Sequence, residues 1–128
     1  MPHFDRRRLQ PPLEPLLKVS VEPLEEALLV RAHGELDMGT VELLETRIST
    51  ALDASSTVLL DLAGVSFIDS CGLRLLLRSS DRARRLGRTF FIVRPSTQVS
   101  WVVDLTETAE LVPLVSDQAG PEQLAASA

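Results

Sequence analysis

Residues 58–77 read VLLDLAGVSFIDSCGLRLLL, and this stretch decides the fold. Val58-Leu59-Leu60 is a continuous apolar run, the pattern of a short strand buried on both faces rather than one with a wet side. Starting at Thr57, the strand is expected to end at Leu62, with Ala63-Gly64 as a turn after it. Further on, Leu73, Leu76, Leu77 and Ala83 are spaced as one face of a helix, while Arg74, Arg78, Arg82 and Arg85 fall on another. A strand therefore feeds a helix through the polar loop Asp69-Ser70-Cys71-Gly72. Asp69 and Ser70 are both strong N-cap types, and a hydroxyl in a first helical turn lies beside backbone N–H groups that lack intrahelical partners. A phosphate is well received at such a place, because the helix dipole presents its positive end there.

Strand and helix signals alternate outward from this core. Leu16 to Val21 and Ala27 to His33 read as two strands of a hairpin around Pro23-Leu24-Glu25-Glu26. Gly34-Glu35-Leu36-Asp37 closes the second of them. Asp37 or Thr40 can cap a helix through about Ala54, with Val41, Leu44, Ile48, Ala51 and Leu52 facing inward. The helix that begins at Ser70 is expected to stop near Gly87. Thr89 to Val93 is a further strand, and Pro95-Ser96 opens a helix to about Leu105 in which Trp101 and the neighbouring valines read as core. Leu111 to Val115 could be a last edge strand, since Pro113 lacks an N–H, and Pro121 to Ala128 a short final helix or a tail. Residues 1–15, with four prolines and Arg6-Arg7-Arg8, read as a flexible arm; 16–116 form one domain and 117–128 its tail.

The expected fold is thus α/β: four to five mostly parallel strands with an N-terminal hairpin, flanked by three to four helices. Ligand and partner loops of such sheets lie at the carboxyl ends of the strands. Gly34 to Asp37 and Ile68 to Gly72 both occupy such ends and are expected to be neighbours.

Composition narrows the function classes. With 128 residues, 45% of them apolar, the chain can bury one core. A net charge of −5 argues against direct nucleic-acid binding, and the arginines between Ser70 and Arg88 read first as a solvated helix exterior. No apolar run reaches the length of a membrane span and the first residues lack a secretory pattern, so a cytoplasmic protein is expected. The lone Cys71 has no cysteine to pair with in the chain. Neither His3 nor His33 has the spacing of a metal site, and no cofactor is called for. Phosphate-cradling glycine motifs are missing. Cys71 would need an arginine where Leu77 stands to act as a phosphatase nucleophile, and Ser70 lacks the flanking glycines and histidine base of a hydrolase. An enzyme acting alone is not expected.

Gly34-Glu35-Leu36-Asp37, the following helix, Val58 to Leu62, and Phe67-Ile68-Asp69-Ser70-Cys71-Gly72-Leu73 together resemble the bacterial anti-sigma-factor antagonists, the small single-domain STAS proteins. The likeness runs from about Leu16 to Val115. It implies a switch: an unphosphorylated form that binds an anti-sigma factor with serine kinase activity and so releases a sigma factor. Ser70, by position, is the implied phosphoacceptor, with a PP2C-type phosphatase to reset it. Glu35 and Asp37 match acidic positions of the partner-facing edge, and Gly72 and Leu73 belong to the same surface. Asp69, Cys71 and Arg74, beside them, complete the partner-binding set. A monomer or weak dimer is expected. Two other roles fit a STAS domain: a scaffold subunit of a larger signalling assembly, or an accessory protein of a membrane transport system. Cys71 stands where relatives often carry a small hydroxyl residue, which puts a thiol next to the phosphoacceptor.

Overall fold

The computed structural model describes residues 16–105; the arm, the expected edge strand at Leu111 to Val115 and the tail lie outside them. The elements in chain order are β1 (Leu17–Pro23), β2 (Leu28–Leu36), α1 (Val41–Ala54), β3 (Thr57–Ile68), α2 (Ser70–Arg85), β4 (Thr89–Val93) and α3 (Thr97–Leu105). The strands form one sheet in the order β1-β2-β3-β4. β1 pairs antiparallel with β2, from Leu17 opposite Gly34 to Pro23 opposite Leu28, whereas β2–β3 and β3–β4 are parallel. The mixed sheet with its leading hairpin is the architecture the sequence predicts.

Alternation along the strands sorts the core into two parts. On one face Val30, Val58, Leu60 and Ile92 pack with Leu44, Ile48 and Leu52 of α1 and with Leu73, Leu76 and Ala83 of α2. Val99 and Val103 of α3 join the same cluster. On the other face Ala27, Leu29, Leu59 and Val93 make a second buried cluster, so the Val58-Leu59-Leu60 run is indeed enclosed on both sides. Asp61 is also buried, and its carboxylate is held by Arg94 at 2.8 Å and Arg31 at 3.4 Å. Its Oδ1 accepts the Ala63 N–H at 2.9 Å.

Three expectations change. The strand does not end at Leu62: β3 runs through Ala63 and Gly64 to Ile68. Gly64 serves a close approach, since a Cβ there would stand 2.6 Å from Cδ2 of His33 on the neighbouring strand. The β2–β3 register shifts on both sides of this contact, between Arg31 and His33 and again between Gly34 and Glu35. These irregularities allow both strands to extend further and deliver their ends together. Thr40 precedes α1 but does not cap it with its side chain. Its hydroxyl donates to the Glu35 carbonyl at 2.8 Å and accepts the Asp37 N–H at 3.0 Å, bracing the loop instead. Trp101 is not core: it is 58% exposed, because Val99 and Val103 already form the buried stripe of α3 and Trp101 stands off it.

Helix α2 ends as its sequence predicts. Gly87 adopts φ +68°, Gly87 N donates to Arg84 O at 3.1 Å, and Arg88 N donates to Ala83 O at 2.8 Å. This nested pair of bonds around a left-handed glycine satisfies carbonyls of the last turn.

Candidate functional site

The site is built where the ends of β2 and β3 meet. Asp69, the residue before α2, is its centre: Oδ1 accepts the N–H of Cys71 at 2.9 Å and of Gly72 at 3.0 Å. Those donors have no partner inside the helix, so the carboxylate replaces water there and its charge sits at the favourable end of the dipole. Oδ2 accepts the Met38 N–H at 3.2 Å, tying the β2–α1 loop to the β3–α2 loop. The Asp69 N–H donates to Leu36 O at 3.2 Å, a second tie between the same loops. The predicted neighbours are therefore hydrogen-bonded to each other.

Gly72 shows how closely the two loops approach. A Cβ at this position would lie 2.7 Å from Ile68 Cγ1 and 2.9 Å from the Leu36 carbonyl, so only a glycine lets the first turn of α2 sit against the end of β2. Leu73, 8% exposed, points into the core. Gly72 and Leu73 thus support the loop from below. Their side of the helix is not surface.

Ser70 is exposed in the first turn of α2, and among the described residues its hydroxyl has no hydrogen-bond partner. Fixed by Asp69 on one side and the helix on the other, it is an accessible hydroxyl on a rigid support. Cys71 is half-buried and Arg74 exposed. Arg74 folds back over the turn: Nε donates to the Ser70 carbonyl at 3.4 Å, and Nη2 lies 4.0 Å from Cys71 Sγ.

Glu35 at the end of β2 and Asp37 in the loop after it are both half-buried. Glu35 pairs with Phe67 in the β2–β3 register. The Asp37 carboxylate accepts the Gly39 N–H at 2.9 Å. Every predicted site residue therefore lies at the end of β2, on these two adjoining loops or in the first helical turn that follows them. Sequence reading missed Met38 and Phe67, apolar side chains 78% and 43% exposed on the same two segments. The signal was present in a methionine placed between polar loop residues, where burial has no claim on it.

Further along α2 the arginines are paired. Glu45 of α1 binds Arg78 through two bonds of 2.9 and 3.2 Å, and this hydrogen bonding raises the Arg78 pKa. Arg82 reaches Asp53 of α1 at 3.1 Å. Arg84 and Arg85 bind Asp81 at 2.6 and 3.2 Å; the Arg84 hydrogen bond, then the charge of Arg85, lower the Asp81 pKa. Among the described residues no group of His, Cys, Asp and Glu is arranged to hold a metal ion. Nor is any helix among them long and apolar enough to cross a membrane.

Comparison with known proteins agrees with this fold. The STAS domain family model matches residues 18–119. An anti-sigma F factor antagonist of Lysinibacillus sphaericus is 34% identical over 94 residues, which cover 64% of this chain and 80% of that one. A crystal structure of an anti-sigma factor antagonist from Mycobacterium paratuberculosis superposes with a TM-score of 0.73 at 25% identity, over 86% of this chain and 92% of the other. The anti-sigma factor antagonist SpoIIAA in its unphosphorylated form gives a TM-score of 0.63 at 23% identity, over 79% of this chain and 90% of its own. Its phosphorylated form, from Bacillus, gives 0.60 at 24% identity, over 79% and 94%. The chain belongs to the STAS domain family, and within it to the anti-sigma-factor antagonists.

Proposed function

We propose that this chain binds an anti-sigma factor through the surface formed by Glu35, Asp37, Asp69, Ser70, Cys71 and Arg74, and that phosphorylation of Ser70 abolishes that binding. Gly72 and Leu73 contribute by holding the backbone of this surface in place. The observation that carries the reading is the exposed Ser70 hydroxyl, without a hydrogen-bond partner among the described residues, in a turn fixed by the Asp69 cap. SpoIIAA, whose fold this chain shares, is known in both phosphorylated and unphosphorylated forms. In the unphosphorylated state the chain occupies the anti-sigma factor in the cytoplasm and a sigma factor is freed. The anti-sigma factor, acting as a serine kinase, supplies ATP and base, and a PP2C-type phosphatase restores the hydroxyl.

Electrostatics makes such a switch effective. A phosphoserine carries roughly −1.5 to −2 charge near neutral pH. On Ser70 that charge stands beside the Asp69 carboxylate, with Asp37 on the adjoining loop. Free in water, the phosphate is solvated and favoured by the helix N-terminus. In a docked, partly dehydrated interface it meets like-charge repulsion and a desolvation penalty. A difference of about 3–4 kcal/mol between these settings changes affinity several hundredfold.

Incubation with candidate anti-sigma kinases and ATP tests the assignment, comparing the native chain with Ser70→Ala. Phosphate is expected in the native chain alone. Equal incorporation in both chains means that another residue is the acceptor.

A further inference from the structure

The arginines of α2 divide into those engaged with carboxylates and one that is not. Arg78, Arg82, Arg84 and Arg85 each bind an acidic side chain of α1 or of α2 itself. Arg74 has no carboxylate partner among the described residues. It instead lies over the first turn, with Nε 3.4 Å from the Ser70 carbonyl and Nη2 4.0 Å from Cys71 Sγ. Residues four apart on a helix are surface neighbours, and helical side chains lean toward the N-terminus, so a guanidinium at 74 is carried directly above residue 70. Its planar fork of donors matches the oxygens of a phosphate monoester.

On the reading of Ser70 as phosphoacceptor, we propose that Arg74 is the counter-ion of the phosphoserine: once Ser70 is modified, the guanidinium leaves its weak contacts with the Ser70 carbonyl and Cys71 and closes on the phosphate. Modification then changes the docking surface twice. It adds negative charge at Ser70 and withdraws the one α2 cation without a carboxylate partner among the described residues. The clasp also holds the phosphate in the phosphorylated chain against the helix, where Gly72 and Asp69 keep the turn rigid.

The test is a 31P NMR pH titration of the full chain carrying phosphoserine placed at residue 70 during translation, so that no kinase is needed. Native, Arg74→Gln and Arg78→Gln chains are compared at low ionic strength. Glu35, Asp37, Asp69 and Cys71, the titratable groups of the same surface, are common to all three. A nearby cation favours the more charged phosphate, so the second phosphate pKa, ordinarily about 6, is expected lower in the native chain than in Arg74→Gln. The expected gap is about half a unit, roughly a threefold change in protonation constant. Arg78→Gln, whose arginine is engaged by Glu45, is expected to titrate like the native chain. Equal values in the native and Arg74→Gln chains overturn the proposal, as does an equal rise in Arg78→Gln. A wrong phosphoacceptor assignment shows itself separately, in phosphate incorporation by Ser70→Ala.

Discussion

Met38 donates its backbone N–H to Oδ2 of Asp69 across 3.2 Å, although 31 residues separate the two in sequence. One carboxylate therefore caps α2 through Oδ1 and holds the β2–α1 loop through Oδ2. The two loops of the proposed docking surface are a single hydrogen-bonded unit.

Asp69→Ala removes both functions. Loss of an N-cap acceptor costs about 0.5–2 kcal/mol, and urea unfolding is expected to show a loss in that range. Asp69→Asn retains one carbonyl oxygen for the cap but presents an amide to Met38. Its stability should fall between the other two, while the Met38 amide exchanges faster with solvent in both variants than in the native chain.

Gly72→Ala is expected to destabilise more than a surface glycine replacement. The added methyl meets Ile68 Cγ1 at 2.7 Å and the Leu36 carbonyl at 2.9 Å. Overpacking of this kind costs about 1–3 kcal/mol, and the same substitution displaces the turn that carries Ser70. Gly34→Ala should be at least as damaging: its φ is +124° and its Cβ would lie 2.1 Å from the Leu16 carbonyl, which also accepts the Glu35 N–H. Chemical denaturation of both variants checks the order.

Asp61→Asn keeps an oxygen for Ala63 but removes the charge that faces Arg94 and Arg31. Breaking a fully buried pair costs about 3–5 kcal/mol; here the arginine side chains are 38% and 44% exposed, so water takes up part of the loss. A decrease of about 1–3 kcal/mol in unfolding free energy is expected. Arg94, held at φ +47°, should become more mobile in the same variant.

Asp81 is a surface carboxylate whose pKa is lowered first by the Arg84 hydrogen bond and then by the charge of Arg85. A depressed carboxylate stabilises the fold at pH above its unfolded pKa, and that contribution disappears as pH falls through the folded pKa. NMR titration should show the Asp81 carboxylate moving upward in Arg84→Gln. Any stability advantage of the native chain over Asp81→Asn should be constant near neutrality and vanish in acid.

The element order from Leu17 to Leu105, the Asp69 cap, the Gly87 helix end and the meeting of the two loops were all legible, because each rests on a local signal: hydrophobic period, capping residue or strand end. Gly64 misled for the same reason. A glycine inside a strand and a glycine in a turn look alike until the neighbouring His33 is known. Trp101 misled because valines two positions to either side, Val99 and Val103, sufficed to anchor a short helix. The pairing of Arg78 with Glu45 and of Arg82 with Asp53 depends on how α1 and α2 lie together, and no spacing within either helix announces it. Arg74 became distinctive only once those pairs were known.

The central claim is that charge on Ser70 controls docking, and calorimetric titration of the anti-sigma factor into this chain tests it most directly. The chain would be prepared once with serine and once with phosphoserine at position 70. A hundredfold or greater loss of affinity with phosphoserine is predicted, about 2.7 kcal/mol or more. Equal affinities for the two forms would contradict the account.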